Sequence, residues 1–207
     1  MSMVTIKTLV CVTLALAVLG CTSRNSEVVP TPRMDKANVS ILPGQTPDEA
    51  AIEKMLAAKE ALFTKLSGRL MEAMGTQGPA AAIAVCKTEA RQIADAVGEE
   101  HGLRIGRAGV RLRNPNNTAP SWAENLVHDK TATPTFVTLD NEHAAALLPI
   151  KLQSQCLMCH GPDEQIAPVI QDQLTKLYPT DAATGFKEGE LRGWFWVELP
   201  NRQNPIP

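Results

Sequence analysis

Apolar residues recur at intervals of three, four and seven through the first half of the chain. Ile52, Leu56, Phe63, Leu66, Leu70 and Met74 form one stripe of a long helix, because residues three or four apart share a helical face. Thr46 followed by Pro47 and Glu49 predicts a cap at Thr46, and Gly75 predicts the end. Met55, Met71 and Met74 read as core fillers on this helix. A second helix is predicted from about Gly78 to Val97. Its apolar line runs Ile83, Cys86, Ala90, Ile93 and Val97, which turns Cys86 inward.

After His101-Gly102 the period shortens. Leu103, Ile105, Val110 and Leu112 interleave with Arg104, Arg107, Arg111 and Arg113, the pattern of an extended segment with one wet face. Asn114-Pro115-Asn116-Asn117 ends it in a turn, and Pro120-Ser121-Trp122 opens a short helix. Thr135 to Leu139 suits a strand or a loop equally. Ile150 to Gln153 reads as a short strand, and Leu191 to Leu199 as an aromatic-rich one. Helices first and strands later give an α+β domain with an antiparallel sheet.

The amino terminus follows a different logic. Lys7 precedes an apolar run from Leu9 to Leu19, too short for a permanent bilayer span of about 20 residues. It has the form of a secretory signal. Val18-Leu19-Gly20-Cys21 resembles a lipobox, in which Cys21 is lipidated and becomes the new first residue; a plain secreted protein with an incidental Cys21 is the other reading. The expected organisation is a lipoprotein-type signal peptide at 1–20, a Ser- and Pro-rich flexible tether at 21–45, a folded domain at 46–200 and a C-terminal tail at 201–207. Acyl chains on Cys21 would hold the chain on a bacterial membrane, on the periplasmic side, without spanning it. Across 207 residues a net charge of −2 and a pI near 6.1 leave no basic field for nucleic acid.

The chemistry lies in Cys156-Leu157-Met158-Cys159-His160. CxxCH is the attachment signature of c-type haem: two thiols one turn apart bond the porphyrin vinyls, and the adjacent histidine reaches the iron. Attachment after export agrees with the signal sequence. A structural disulfide is the alternative open to any exported CxxC. A thioredoxin-like pair lacks its strand-then-helix setting, and a zinc site lacks a second CxxC or HxxxH. No methionine follows Met158, which disfavours a His/Met electron carrier. The second axial ligand is then His101, His128, His143 or Cys86, each with a bland alternative as a surface histidine or as a buried packing thiol.

Ordered blocks of the chain resemble the Tll0287-like family of c-type haem proteins. They are Ala81-Ala82-Ile83-Ala84-Val85-Cys86, Arg113-Asn114-Pro115-x-Asn117-x-x-Pro120-x-Trp122, Pro149-Ile150 with Cys156-Leu157-x-Cys159-His160-Gly161, and Tyr178-Pro179-x-Asp181-x-Ala183-Thr184-Gly185. Gly189-x-Leu191-x-Gly193 closes the series, and Gly109 and Ala119 depart from the family pattern. The resemblance implies a PAS-like domain and one covalent haem c, with His160 on one side of the iron and Cys86 on the other. It further implies a non-enzymatic redox or small-gas (CO/NO) sensor that works through an unknown redox or signalling partner; a periplasmic electron-transfer cytochrome is the rival. Arg113, by its place in the second block, is the favoured clamp for the haem propionates, against a solvated strand face. Trp122 and Trp194-Phe195-Trp196 either wall the haem or fill the core.

Overall fold

The computed structural model describes residues 39–201. The signal segment, Cys21 and residues 202–207 lie outside the described residues. Helix α1 (Glu49–Gln77) is capped by Asp48, whose Oδ1 accepts the Ala51 N–H at 2.7 Å. Asp48 therefore takes the role expected of Thr46, and α1 runs past Gly75 to a turn at Gly78. There φ is +88°, a conformation glycine adopts at no steric cost, and Pro79 at once starts α2 (Pro79–Thr88). The expected second helix is split at Glu89 into α2 and α3 (Ala90–His101). Arg69 of α1 grips the Glu89 carboxylate with Nε at 2.7 Å and Nη2 at 3.0 Å, which pins the break to the first helix.

The buried face of α1 is Met55, Ala58, Leu62, Leu66 and Ala73, rotated from the expected stripe. Leu56 and Phe63 are about two-fifths exposed and Met71 is 60% exposed, so Met71 is no core filler. Alanine accounts for the shift: Ala58 and Ala73 pack where helices approach closely, and a count of large residues overlooks them. Met55 and Leu62 are fully buried, each contributing roughly 1.5–3 kcal/mol of apolar burial.

Four strands, β1 (Arg104–Gly109), β2 (Thr135–Thr138), β3 (Ala144–Lys151) and β4 (Leu191–Leu199), form an antiparallel sheet in the order β1-β4-β3-β2. Alternation along β4 sends Phe195 and Val197 toward α1 and α3, where Ile105, Ala146 and Leu148 complete the main core. Trp194 points the other way, into a second core with Ala108, Ala145, Leu147 and Trp122. That second core is closed by the segment carrying α4 (Glu124–His128). Pro149 sits in β3 beyond Leu147, where pairing with β2 has ended, so its missing N–H leaves no ladder bond unmade. Beyond β3 come α5 (Leu157–His160) and α6 (Pro168–Leu177), the latter packed against α2.

The expected tether reaches too far. Residues 39–45 follow β2: Ile41 bridges Leu139, and the Leu42 N–H donates to Thr138 O at 2.8 Å. The result is an α+β domain with N-terminal helices on an antiparallel, PAS-like sheet. Among the described residues no helix is long and apolar enough to cross a membrane.

Candidate haem site

A single 3₁₀ turn, Ser154–Cys156, runs straight into α5, so Cys156 and Cys159 stand one turn apart with His160 next. All three side chains are half-buried, and the thiols of Cys86, Cys156 and Cys159 are free. The turn is held by a loop far along the chain. Gly185 N–H donates to Gly161 O at 2.7 Å, and Phe186 N–H donates to His160 O at 2.9 Å. A Cβ on Gly161 would stand 2.6 Å from the Leu157 carbonyl oxygen, so the chain leaves α5 by a path open only to glycine.

His160 Nδ1 lies 2.7 Å from Ala183 O. A carbonyl can only accept, so Nδ1 carries the proton and the lone pair is left on Nε2. Burial pushes His160 down to about 3, and the Arg113 and Arg192 cations push the same way. The ring is therefore a neutral imidazole with a fixed tautomer, the form that ligates metals, braced by a backbone carbonyl as metal-binding histidines commonly are.

Cys86 lies half-buried on α2. Burial raises its thiol pKa, while the cations Arg107, Arg113 and Arg192 draw it down. Cys159 is likewise raised by burial; Arg113 opposes that rise, and Cys86 and Cys156 add to it. Cys86 thus shares the surroundings of the CxxCH turn. Beside it, between α3 and β1, opens a cavity of about 880 Å³ whose walls include Arg107, Asn114, Asn117 and Trp196; α5 does not line it. The groups acting on His160 include no second histidine. His128 bonds the neighbouring Asp129 on the surface, His143 is buried beside Asn141 in the β2–β3 turn, and His101 ends α3.

Arg113, the expected propionate clamp, also has partners within the protein. Its guanidinium is buried and already engaged: Nε donates to Asp181 Oδ2 at 2.9 Å, and Nη2 donates to Cys159 O at 2.5 Å and Ala183 O at 3.4 Å. Asp181 Oδ1 in turn accepts the Ala183 N–H at 2.8 Å. This network ties the end of the β1 segment to α5 and to the loop that braces His160, so Arg113 positions the turn. Trp122 and Trp194 are core residues, their indole N–H groups bonded to Glu198 and to Thr131 O. Trp196 lies over Gly106, where a Cβ would come within 2.3 Å of its ring, and it also borders the cavity.

Sequence reasoning passed over Asp181 as a partner, Arg192 as a third cation, and the buried Tyr178, which feels Cys86. Asp181 and Tyr178 did stand in a family-like block, the one available signal. The donor set suits a porphyrin better than a bare ion. Among the described residues no group of three His, Cys, Asp or Glu is arranged around a metal. An iron porphyrin brings four nitrogens of its own and needs at most two protein ligands, two thiols for its vinyls and cations for its carboxylates.

No curated protein matches the chain. Among solved structures the fold is similar to one described as the crystal structure of the cyanobacterial heme-protein Tll0287, with a TM-score of 0.55 and 24% sequence identity. The match covers 78% of this chain and 100% of that one. The Tll0287-like family model matches residues 40–200. With the fold, the CxxCH turn and Cys86 all inside the matched span, the chain belongs to the Tll0287-like family.

Proposed function

We propose that the protein is an exported, lipid-anchored monohaem protein that senses redox state or a small gas such as CO or NO. The haem would be attached covalently at Cys156 and Cys159, with His160 and Cys86 as axial ligands and Cys21 as the lipidation site. The observation that carries this reading is His160: its proton is held on Nδ1 by Ala183 O, and its free Nε2 stands beside two unpaired thiols one turn apart. The solved relative is itself described as a heme-protein.

Bound there, haem would supply a reversible one-electron iron centre with axial positions. The chain's own residues set its terms. His160 presents an unprotonated nitrogen at any working pH. Cys86, half-buried on α2, would hold the iron as a thiolate, which would favour the ferric state. A thiolate bond that weakens on reduction is the two-state element a sensor requires. A Cys86 that holds the iron would leave no place for the acid–base groups of a peroxidase, so we read the protein as non-catalytic. Its periplasmic partner would be a redox or signalling protein.

The test is intact mass and absorption of the full chain matured in an exporting host. One added haem and a thiolate-type, low-spin ferric spectrum that changes in Cys86→Ala are expected. A matured chain without added mass overturns the haem reading, and an unchanged Cys86→Ala spectrum removes Cys86 from the iron. Retention of both axial ligands on reduction, with no CO binding, would favour an electron carrier over a sensor.

A further inference from the structure

Four arginines surround the site, and the structure separates them by what each guanidinium already holds. Arg113 gives Nε to Asp181 and Nη2 to two carbonyls. Arg111 is exposed at the surface, its guanidinium 3.8 Å from the centre of the Phe186 ring. Arg192 gives Nη1 to Arg111 O at 2.9 Å and lies 5.6 Å over the same ring. Arg107 has neither a hydrogen bond nor an ion pair among the described residues, yet it lies in the wall of the cavity beside Cys86. β-strand alternation puts it on the same face as Ile105, toward α3.

Arg107 is half-buried in that wall, and a guanidinium held there without a counter-charge can take its anion from a ligand. Desolvation lowers the Arg107 pKa, while the nearby Cys86 and Tyr178 raise it. Asp181, the acid of this cluster, is committed to Arg113. Asp95 and Glu99 stand on the outer rim on exposed α3 positions, Asp95 beside Arg91. Asn114 and Asn117 add neutral amides to the wall on the β1 side. A planar, five-donor fork facing an open volume is matched by a carboxylate, which accepts two parallel N–H bonds.

We infer that Arg107, not Arg113, anchors the haem propionates, and that the cavity beside Cys86 receives the carboxylate edge of the porphyrin. This rests on the haem reading above. Arg113 holds the protein side of the site, and Arg107 holds the cofactor side. The two roles make opposite predictions for the same conservative change.

The experiment compares the haem-loaded full-length wild type with Arg107→Met, Arg107→Lys and Arg113→Lys. Intact mass is read first: if the wild type carries no haem, the functional reading fails and Arg107 is not at issue. In loaded protein, Arg107→Met is expected to shift the propionate-bending bands in resonance Raman and to lower the midpoint potential, since a cation that disfavours ferric iron has gone. Its ligation and spin-state bands stay as in the wild type. Arg107→Lys restores most of the potential but not the propionate bands, because an ammonium has the charge without the fork. Arg113→Lys lowers thermal stability and leaves the propionate bands in place. Should Arg107→Met fail to load, Arg107→Lys alone decides, through its propionate bands. Unchanged propionate bands in loaded Arg107 variants, or a shift confined to Arg113→Lys, would overturn the assignment.

Discussion

Replacing Asp181 by alanine isolates the Arg113 network from the haem question. The two side chains are 8% and 10% exposed, so their pairing is a buried one rather than a surface ion pair. Deleting one partner of a buried pair costs about 3–5 kcal/mol, chiefly because the other charge stays behind unpaired. Here Arg113 would keep only the Cys159 and Ala183 carbonyls, and the Ala183 N–H would lose its acceptor, a further loss of about 1 kcal/mol. Asp181→Ala should therefore lose about 4–6 kcal/mol in urea unfolding. At roughly 2–4 °C per kcal/mol for a domain of this size, Tm falls by at least about 8 °C. Exchange of the Gly185 and Phe186 amides should quicken, because their acceptors lie on the turn that Arg113 steadies. The double variant Arg113→Met/Asp181→Leu removes both charges and should be the milder change, giving a coupling of about 2–3 kcal/mol. A loss below about 1 kcal/mol for Asp181→Ala, the range of exposed pairs, would refute the reasoning.

Tyr178 is the only tyrosine in the chain, so ultraviolet titration reads it alone. Burial first, and then Cys86, push its phenol up to about 12. Because the folded state holds this proton more tightly than the unfolded chain, stability is full below pH 10 and falls between 10 and 12; a midpoint near 10 contradicts this. Gly193→Ala should cost about 3 kcal/mol by calorimetry, since its Cβ would sit 2.1 Å from the Ala108 carbonyl oxygen and neither backbone can yield. Trp122→Phe leaves the buried Glu198 with Arg104 alone and should lose about 1.5–3 kcal/mol in urea, with little change if that bond is dispensable.

What could be read ahead of the structure divides along physical lines. CxxCH was legible because its chemistry is local: two thiols and an imidazole within five residues. β4 was legible because aromatic residues crowd it. β3 was legible only at its end, Ile150 and Lys151, since Ala144-Ala145-Ala146 and Pro149 have no strand propensity and only the neighbours β2 and β4 make them one. The α1 stripe came out rotated because hydropathy weighs Leu56 and Phe63 above alanines that fit where bulk cannot. α6 went unseen, its buried side resting on only Ile170 and Leu174, which cluster with Ile83 of α2, Ile166 and Tyr178. The sharing of arginines was beyond local reading altogether. Whether Arg113 or Arg107 is free depends on Asp181, 68 positions away from Arg113, and no periodicity carries that.

The sheet order has a consequence for how the chain comes to life. β4 is the last strand along the sequence, yet it lies between β1 and β3. Until Leu191–Leu199 has emerged, both neighbours present an open edge with no ladder to join, and the hydrophobic face of Ile105 and Leu148 has no middle. The sheet therefore closes only once Leu191–Leu199 is in place between β1 and β3. Shortening the chain before β4 would leave a β2–β3 hairpin and an unpaired β1, both with aggregation-prone open edges, rather than a smaller version of the same domain.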